Sequence, residues 1–175
     1  YDEEVAHFAR QRLFDYARND DGRPFCLMVG FTHPHDPYVM RQKYWDLYEN
    51  CQALDPETGF IPHEQQDPHS QRLYLASDYP SYDITAENVR RSRRGYFAST
   101  SYIDDKVGEL VSVVGRTRML NDTVILFCSD HGEMLGERGL WFKMCFYEGS
   151  ARVPLMAAGP GIAPGLIEAP SSNLD

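Results

Sequence analysis

"VILFCSDHG", Val124 to Gly132, is a run of five apolar residues that breaks abruptly into serine, aspartate, histidine and glycine. An apolar run that short, rich in β-branched and aromatic side chains, reads as a strand covered on both faces, the kind that parallel sheets contain. "NDT", Asn121 to Thr123, turns into it from the preceding segment. In open α/β sheets, chemistry-bearing groups collect beyond the carboxyl ends of the strands, which is where Ser129, Asp130 and His131 fall. The pattern recurs upstream, where "PFCLMVGF", Pro24 to Phe31, is a second such run and "THPHDP" follows it. "RVPLMAAGPG", from Arg152, reads as a third strand closed by glycine and proline.

Helical periodicity fills the intervals. Tyr1 to Arg18 places Val5, Phe8, Ala9, Leu13, Phe14 and Ala17 on one face, and Asn19 to Gly22 supplies the turn that ends it. From about Asn88, the residues Tyr96, Ser99, Tyr102, Ile103, Lys106, Val107, Leu110, Val111 and Val114 step by three and four, which predicts a long helix with one apolar stripe. This alternation predicts an α/β fold, a mostly parallel sheet with flanking helices. Between Thr32 and Thr85 no period survives. Residues 36–84 read as an irregular insertion in which "QKYWDLYEN" forms one short helix.

Composition narrows the function classes. Seventeen basic against 26 acidic residues give a formal charge of −9, which argues against a nucleic-acid partner. At 42% apolar and 13% aromatic, the chain is no disordered segment. The basic cluster "RRSRRG", Arg90 to Gly95, reads as the solvated side of a helix. The four cysteines lack C-x-x-C spacing. Cys26 and Cys128 lie inside apolar runs and read as reduced core thiols, which points to a cytoplasmic setting. No run reaches the roughly 18 apolar residues of a membrane span, so no membrane partner is expected. The chain opens in helical pattern without an initiator methionine and stops at "SSNLD", as a piece of a longer protein would.

Four side chains are candidates for chemistry. Asp130 and His131 offer an oxygen and a nitrogen to a divalent cation, and Gly132 permits close backbone approach; a helix cap beside a surface histidine is the plainer alternative. A Ser129-Asp130-His131 triad is excluded, because adjacent residues at a strand end point in alternating directions. Lys143, thirteen positions after Asp130, sits among Trp141, Phe142, Met144 and Phe146. It either snorkels to solvent or aims a partly desolvated ammonium at an anion. Glu148 and Arg152 are placed to pair with each other. His33 and His35 flank Pro34; in an extended segment they point the same way, and Pro34 and Pro37 stiffen the loop. A zinc site built from these two with His63 and His69 lacks recognised ligand spacing.

Taken together, "FTHPHDPYV", "YWDLYE", "RRGYFASTSYIDDKVG", "NDTVILFCSDHGEMLGERGLWFKM" and "YEGSARVPL" resemble, in order, the sulfatases of the alkaline-phosphatase superfamily, closest to the choline sulfatases. The resemblance implies that Asp130 and His131 are metal ligands, that Lys143 contacts the sulfate group and that His35 serves the sulfate and leaving-group region. It carries over no role for His33. It implies a divalent metal ion, Ca²⁺ or Mn²⁺, and a small sulfate ester as substrate, with choline sulfate the best single guess. A phosphate or phosphonate ester hydrolase of the same superfamily and a non-catalytic module stay open as alternatives. The family's formylglycine arises from the cysteine or serine of a C/S-x-P-x-R motif, which none of Cys26, Cys51, Cys128 and Cys145 begins. The 175 residues thus read as the central part of one sulfatase catalytic domain, inactive alone.

Overall fold

The structure, a computed structural model, describes residues 1–19, 21–169 and 171–172. Among them the regular elements are helices α1 (Asp2–Arg18), α2 (Gln42–Trp45), α3 (Pro68–Ala76), α4 (Ala86–Arg116) and α5 (Glu148–Ala151), and strands β1 (Ile125–Cys128) and β2 (Leu155–Ala158). They fall into two compact units whose boundaries cut α4 after Gly95 and β1 after Leu126. None of the helices is long and apolar enough to cross a membrane.

The first unit holds Tyr1–Leu47, Tyr96–Leu126 and Ala157–Ile167. Asp2, Glu3 and Glu4 begin α1 and Arg18 ends it, charges that suit the two poles of the helix dipole. Its buried face is Ala6, Ala9 and Leu13, whereas Phe8 points to solvent, so the apolar stripe is narrower than expected. Leu13 packs with Val113 and Val114 of α4, joined by Phe14, Phe25, Leu27, Leu110 and Met119. Lys106 lies in the buried stripe of α4 because its ammonium reaches Glu3 (2.9 Å) and Glu109 (2.8 Å). Burial lowers its pKa, but the two carboxylates more than offset this and hold it above the ordinary lysine value. Glu109 also pairs with Arg10.

Pro24 to Phe31 corrects the expectation of a doubly covered strand. The segment is extended but joins no sheet among the described residues, and its exposure alternates. Phe25 and Leu27 face the core, while Cys26 and Met28 face out, Met28 being 93% exposed. In β1 the same alternation leaves Leu126 and Cys128 outside. Cys26 and Cys128 are therefore exposed thiols on the open faces of extended segments, not core residues. All four cysteines are free of disulfides.

The sheet among the described residues is the pair β1–β2. Its sense is antiparallel. Gly159, just past β2, lies against Thr123 and Val124, just before β1; beyond the strands, Gly132 and Glu133 donate to the carbonyls of Ser150 and Gly149, both at 2.7 Å.

The second unit holds Tyr48–Gly95, Phe127–Met156 and the described residues from 168 onward. Its core is Tyr79, Met134, Leu140 and Cys145, lined by Leu73, Tyr74, Ile84, Trp141, Phe142 and Tyr147. Order within residues 36–84 comes from short pieces, namely α2, the 3-10 turns and α3, rather than one long element. "QKYWDLYEN" does form a short helix, α2, running into the 3-10 turn Asp46–Tyr48. The Arg90–Gly95 cluster is only partly solvated. Arg90 stays outside and pairs with Asp55, but Arg93 is buried.

Candidate functional site

Asp130 and His131 leave the end of β1 together, where the strand's pleat gives way to the Gly132–Ser150 pairing. A Cβ on residue 132 would lie 2.1 Å from the Gly149 carbonyl oxygen, so only glycine lets the two backbones approach this closely. His131 Nδ1 donates to the Gly132 carbonyl (2.8 Å), which makes Nε2 the lone-pair nitrogen of the neutral ring. Nε2 lies 3.8 Å from Asp130 Oδ2, and the Asp130 side chain is 86% exposed. The slight burial of that carboxyl raises its pKa; the His131 N–H and imidazole lower it more, leaving it below the ordinary aspartate value. An imidazole fixed by a backbone carbonyl with a carboxylate beside it is a donor set that suits a divalent cation. Among the described residues, no group of three or more His, Cys, Asp and Glu side chains completes such a site.

Lys143 sits in the most contorted backbone of the second unit. Phe142 (φ 65°) and Met144 (φ 73°) flank it in the left-handed region, after Leu135 (φ 49°) and Arg138 (φ 60°). Each such conformation costs a non-glycine residue about 1–3 kcal/mol and persists only where the surroundings dictate it. Those surroundings are visible here. The buried Tyr79 hydroxyl donates to the Trp141 carbonyl (2.7 Å) and accepts from the Trp141 N–H (2.9 Å). Burial pushes the Tyr79 phenol up, which keeps it a donor. Met134 N donates to the Phe142 carbonyl (2.8 Å), tying the lysine turn to the segment that leaves His131. His69 Nε2 meets the Met144 carbonyl at 2.8 Å.

The base of the turn is equally pinned. Gln66 Nε2 donates to the Arg138 carbonyl (2.6 Å), and Arg138 N donates to the Thr58 carbonyl (2.8 Å). Arg93 reaches the Leu135 carbonyl (3.1 Å) and Glu137 (3.2 Å), while Glu137 also accepts from the N–H groups of Glu57 and Thr58. Lys143 itself is half-buried. Glu148 and Arg152, as the sequence reading allowed, face each other at 3.7 Å on the surface.

His35 lies in the first unit. His35 N donates to the Thr32 carbonyl (3.1 Å), so "THPH" is a turn rather than the extended segment expected. The two histidines consequently have different partners. His33 Nδ1 bonds Asp2 (2.6 Å); His35 Nδ1 donates to the Asp36 carbonyl (3.0 Å), with the Asp36 carboxylate also 3.0 Å away. That arrangement makes Nδ1 the protonated nitrogen of His35. His63 meets the Gln71 carbonyl at 3.3 Å, so it and His69 serve backbone groups rather than a zinc ion.

The sulfatase family model matches residues 1–175. The chain belongs to the sulfatase family. A choline-sulfatase from Rhizobium meliloti (strain 1021) is 67% identical over 178 residues, covering all of this sulfatase chain and 35% of its own length. Human iduronate 2-sulfatase is 37% identical over 158 residues, covering 83% of the chain and 28% of its own. Among solved structures, the phosphonate monoester hydrolase SpPMH from Silicibacter pomeroyi superposes with a TM-score of 0.69 at 26% identity, covering 87% of the chain and 33% of its own. The Bacteroides fragilis protein yidJ gives 0.67 at 23% identity, covering 91% of the chain and 31% of its own. The α/β class read from the sequence is therefore that of the alkaline-phosphatase fold. The sulfatase chain spans about a third of the length of the relatives it matches.

Sequence reasoning picked out Asp130, His131, Lys143 and His35, but not the residues that hold them. Tyr79 and Arg93 act across 62 and 42 positions, respectively, and no local spacing announces such a contact. Asp67-Pro68 did carry a signal, since aspartate before proline at a helix start is a cap: its side chain accepts from His69 N (2.9 Å) and Ser70 N (3.1 Å).

Proposed function

We propose that the protein is a sulfuric ester hydrolase acting on small alkyl sulfate esters, choline sulfate first among them. The 175 residues are read as the central part of its catalytic domain, with residues 36–84 an insertion. The observation that carries this is the second unit's pairing of an exposed carboxylate and an oriented imidazole with a rigidly bent lysine turn, on a chain 67% identical to a choline-sulfatase. Asp130 and His131 would hold part of a divalent metal ion, Ca²⁺ or Mn²⁺, which supplies positive charge at the sulfate when bound. Lys143 offers its ammonium to the sulfate oxygens. His35, with Nδ1 committed to Asp36, donates from Nε2 in its imidazolium form to the leaving oxygen. The nucleophile, a formylglycine, is assigned to the part of the protein outside this chain, and the setting to the cytoplasm.

A second reading keeps the residues and changes the ester to a phosphonate, favoured by the superposition on SpPMH. Both esters present a tetrahedral oxyanion, so kinetics separates them. The whole protein is assayed with choline sulfate, an aryl sulfate and a phosphonate monoester. The expected order of kcat/KM is choline sulfate first by at least about tenfold, or about 1.4 kcal/mol in the transition state. A dominant phosphonate rate would install the second reading. Calorimetry with Ca²⁺ and Mn²⁺ against Asp130→Ala tests the metal role; equal binding by both proteins would make the pair merely structural.

A further inference from the structure

Asp2 is the most buried acid of the first unit, 3% exposed, at the start of α1. The hydrogen bonds of its carboxylate run to one place. Oδ1 accepts from Thr32 N (2.9 Å); Oδ2 accepts from His33 N (3.0 Å) and from His33 Nδ1 (2.6 Å). The His33 ring is held edge-on against Tyr102 of α4 at 5.2 Å, and Tyr102 is in turn edge-on to Tyr44. Three donors from two consecutive residues thus converge on one carboxylate beneath the turn that His35 N closes onto Thr32. Burial pushes the Asp2 carboxyl up, but these donors more than offset it, so the group stays ionised in neutral solution. Nothing in this arrangement needs His33 to touch a substrate, and its Nδ1 is already engaged.

We infer that His33 is a positioning residue: through the hydrogen bond from its Nδ1 to the buried carboxylate of Asp2, it fixes the turn that presents His35. The inference rests on the reading of His35 as a group serving the sulfate ester. Holding a catalytic side chain in place matters because a displacement of about 1 Å costs on the order of a hundredfold in rate. Asparagine separates positioning from contact. Its side-chain N–H sits where the Nδ1–H of histidine does, and it has nothing in place of Nε2.

The whole protein is compared as wild type, His33→Ala, His33→Asn, Asp2→Asn and His35→Ala, with kcat and KM for choline sulfate and thermal melting for each. His33→Ala and Asp2→Asn are expected to lower kcat by about 10- to 100-fold with KM within about threefold. His33→Asn is expected to restore kcat to within about threefold of wild type. Wild-type kcat in His33→Ala would overturn the inference, as would equal losses in His33→Ala and His33→Asn, which would mean that Nε2 is used. Full turnover by His35→Ala would instead remove the underlying reading of His35. Imidazole ¹⁵N spectra of the wild type give a readout that no variant's folding can blur. Nδ1 is expected to carry the proton and Nε2 the lone pair; the opposite tautomer would end the proposal.

Discussion

One hydroxyl in the second unit holds two backbone groups at once. The oxygen of Tyr79, itself buried, both gives and takes a hydrogen bond at the partly buried Trp141, two residues before Lys143. Tyr79→Phe keeps the ring and its packing but strips both bonds. Leaving fully buried partners unsatisfied costs about 1–3 kcal/mol, an upper figure for these partly buried groups, and the loss falls on a turn already strained at Phe142 and Met144. The expected result is a lower melting temperature and a kcat for sulfate ester reduced several-fold, read by calorimetry and steady-state kinetics. A variant with wild-type values for both would show that the bend is held elsewhere. Asp130, His131 and Lys143 were conspicuous as candidates because charged groups stood out against apolar surroundings. Tyr79 was not, since it is one of 11 tyrosines and its meaning lies in a partner 62 positions away.

Elements were legible to the extent that their reasons are local. α1 and α4 follow from three- and four-residue steps, whereas α3 lies within residues 36–84, which read as an irregular insertion despite the Asp67-Pro68 cap. The run from Pro24 to Phe31 was read as doubly buried because hydropathy records that a side chain is apolar, not which neighbour covers it. α3 makes a prediction of its own. The Asp67 carboxylate accepts from Ser70 Oγ (2.5 Å) and Tyr147 Oη (2.7 Å) as well as from two backbone N–H groups, so it links the start of α3 to the residue preceding α5. Those donors, Ser70 and Tyr147 foremost, hold the carboxyl well below its usual value of 3.8. A depressed native pKa gives stability that is present above the unfolded value and lost as pH falls through the native one. Asp67→Asn retains a capping oxygen but no charge. The melting temperature of the variant is therefore expected to trail wild type at pH 6, with the gap closing progressively below about pH 3.8. A gap that stays constant across that range would mean that the charge on Asp67 does nothing for the fold.

At the scale of the molecule, the decisive feature is how much apolar surface the described residues leave uncovered. Met28, Val124 and Leu126 of the first unit and Phe146, Leu155 and Met156 of the second are all exposed, Leu126 at 64% and Phe146 at 96%. β2 shows no buried residue, and a two-stranded sheet is marginal in water by itself. Single exposed apolar residues need no explanation, but extended segments whose whole outer side is apolar are edges and faces that other chain normally covers. With 35% of the Rhizobium meliloti choline-sulfatase matched, about two-thirds of that relative's length is available for the purpose. The 175 residues produced alone are therefore expected to bind an apolar dye such as ANS, to associate as concentration rises, and to hydrolyse no sulfate ester. The whole protein should do none of the first two. Analytical ultracentrifugation and dye titration, run on both, decide the matter. A dye-silent monomer at every concentration would show that the exposed face of β1–β2 needs no cover, and turnover by the short chain would show that its own side chains suffice for the chemistry.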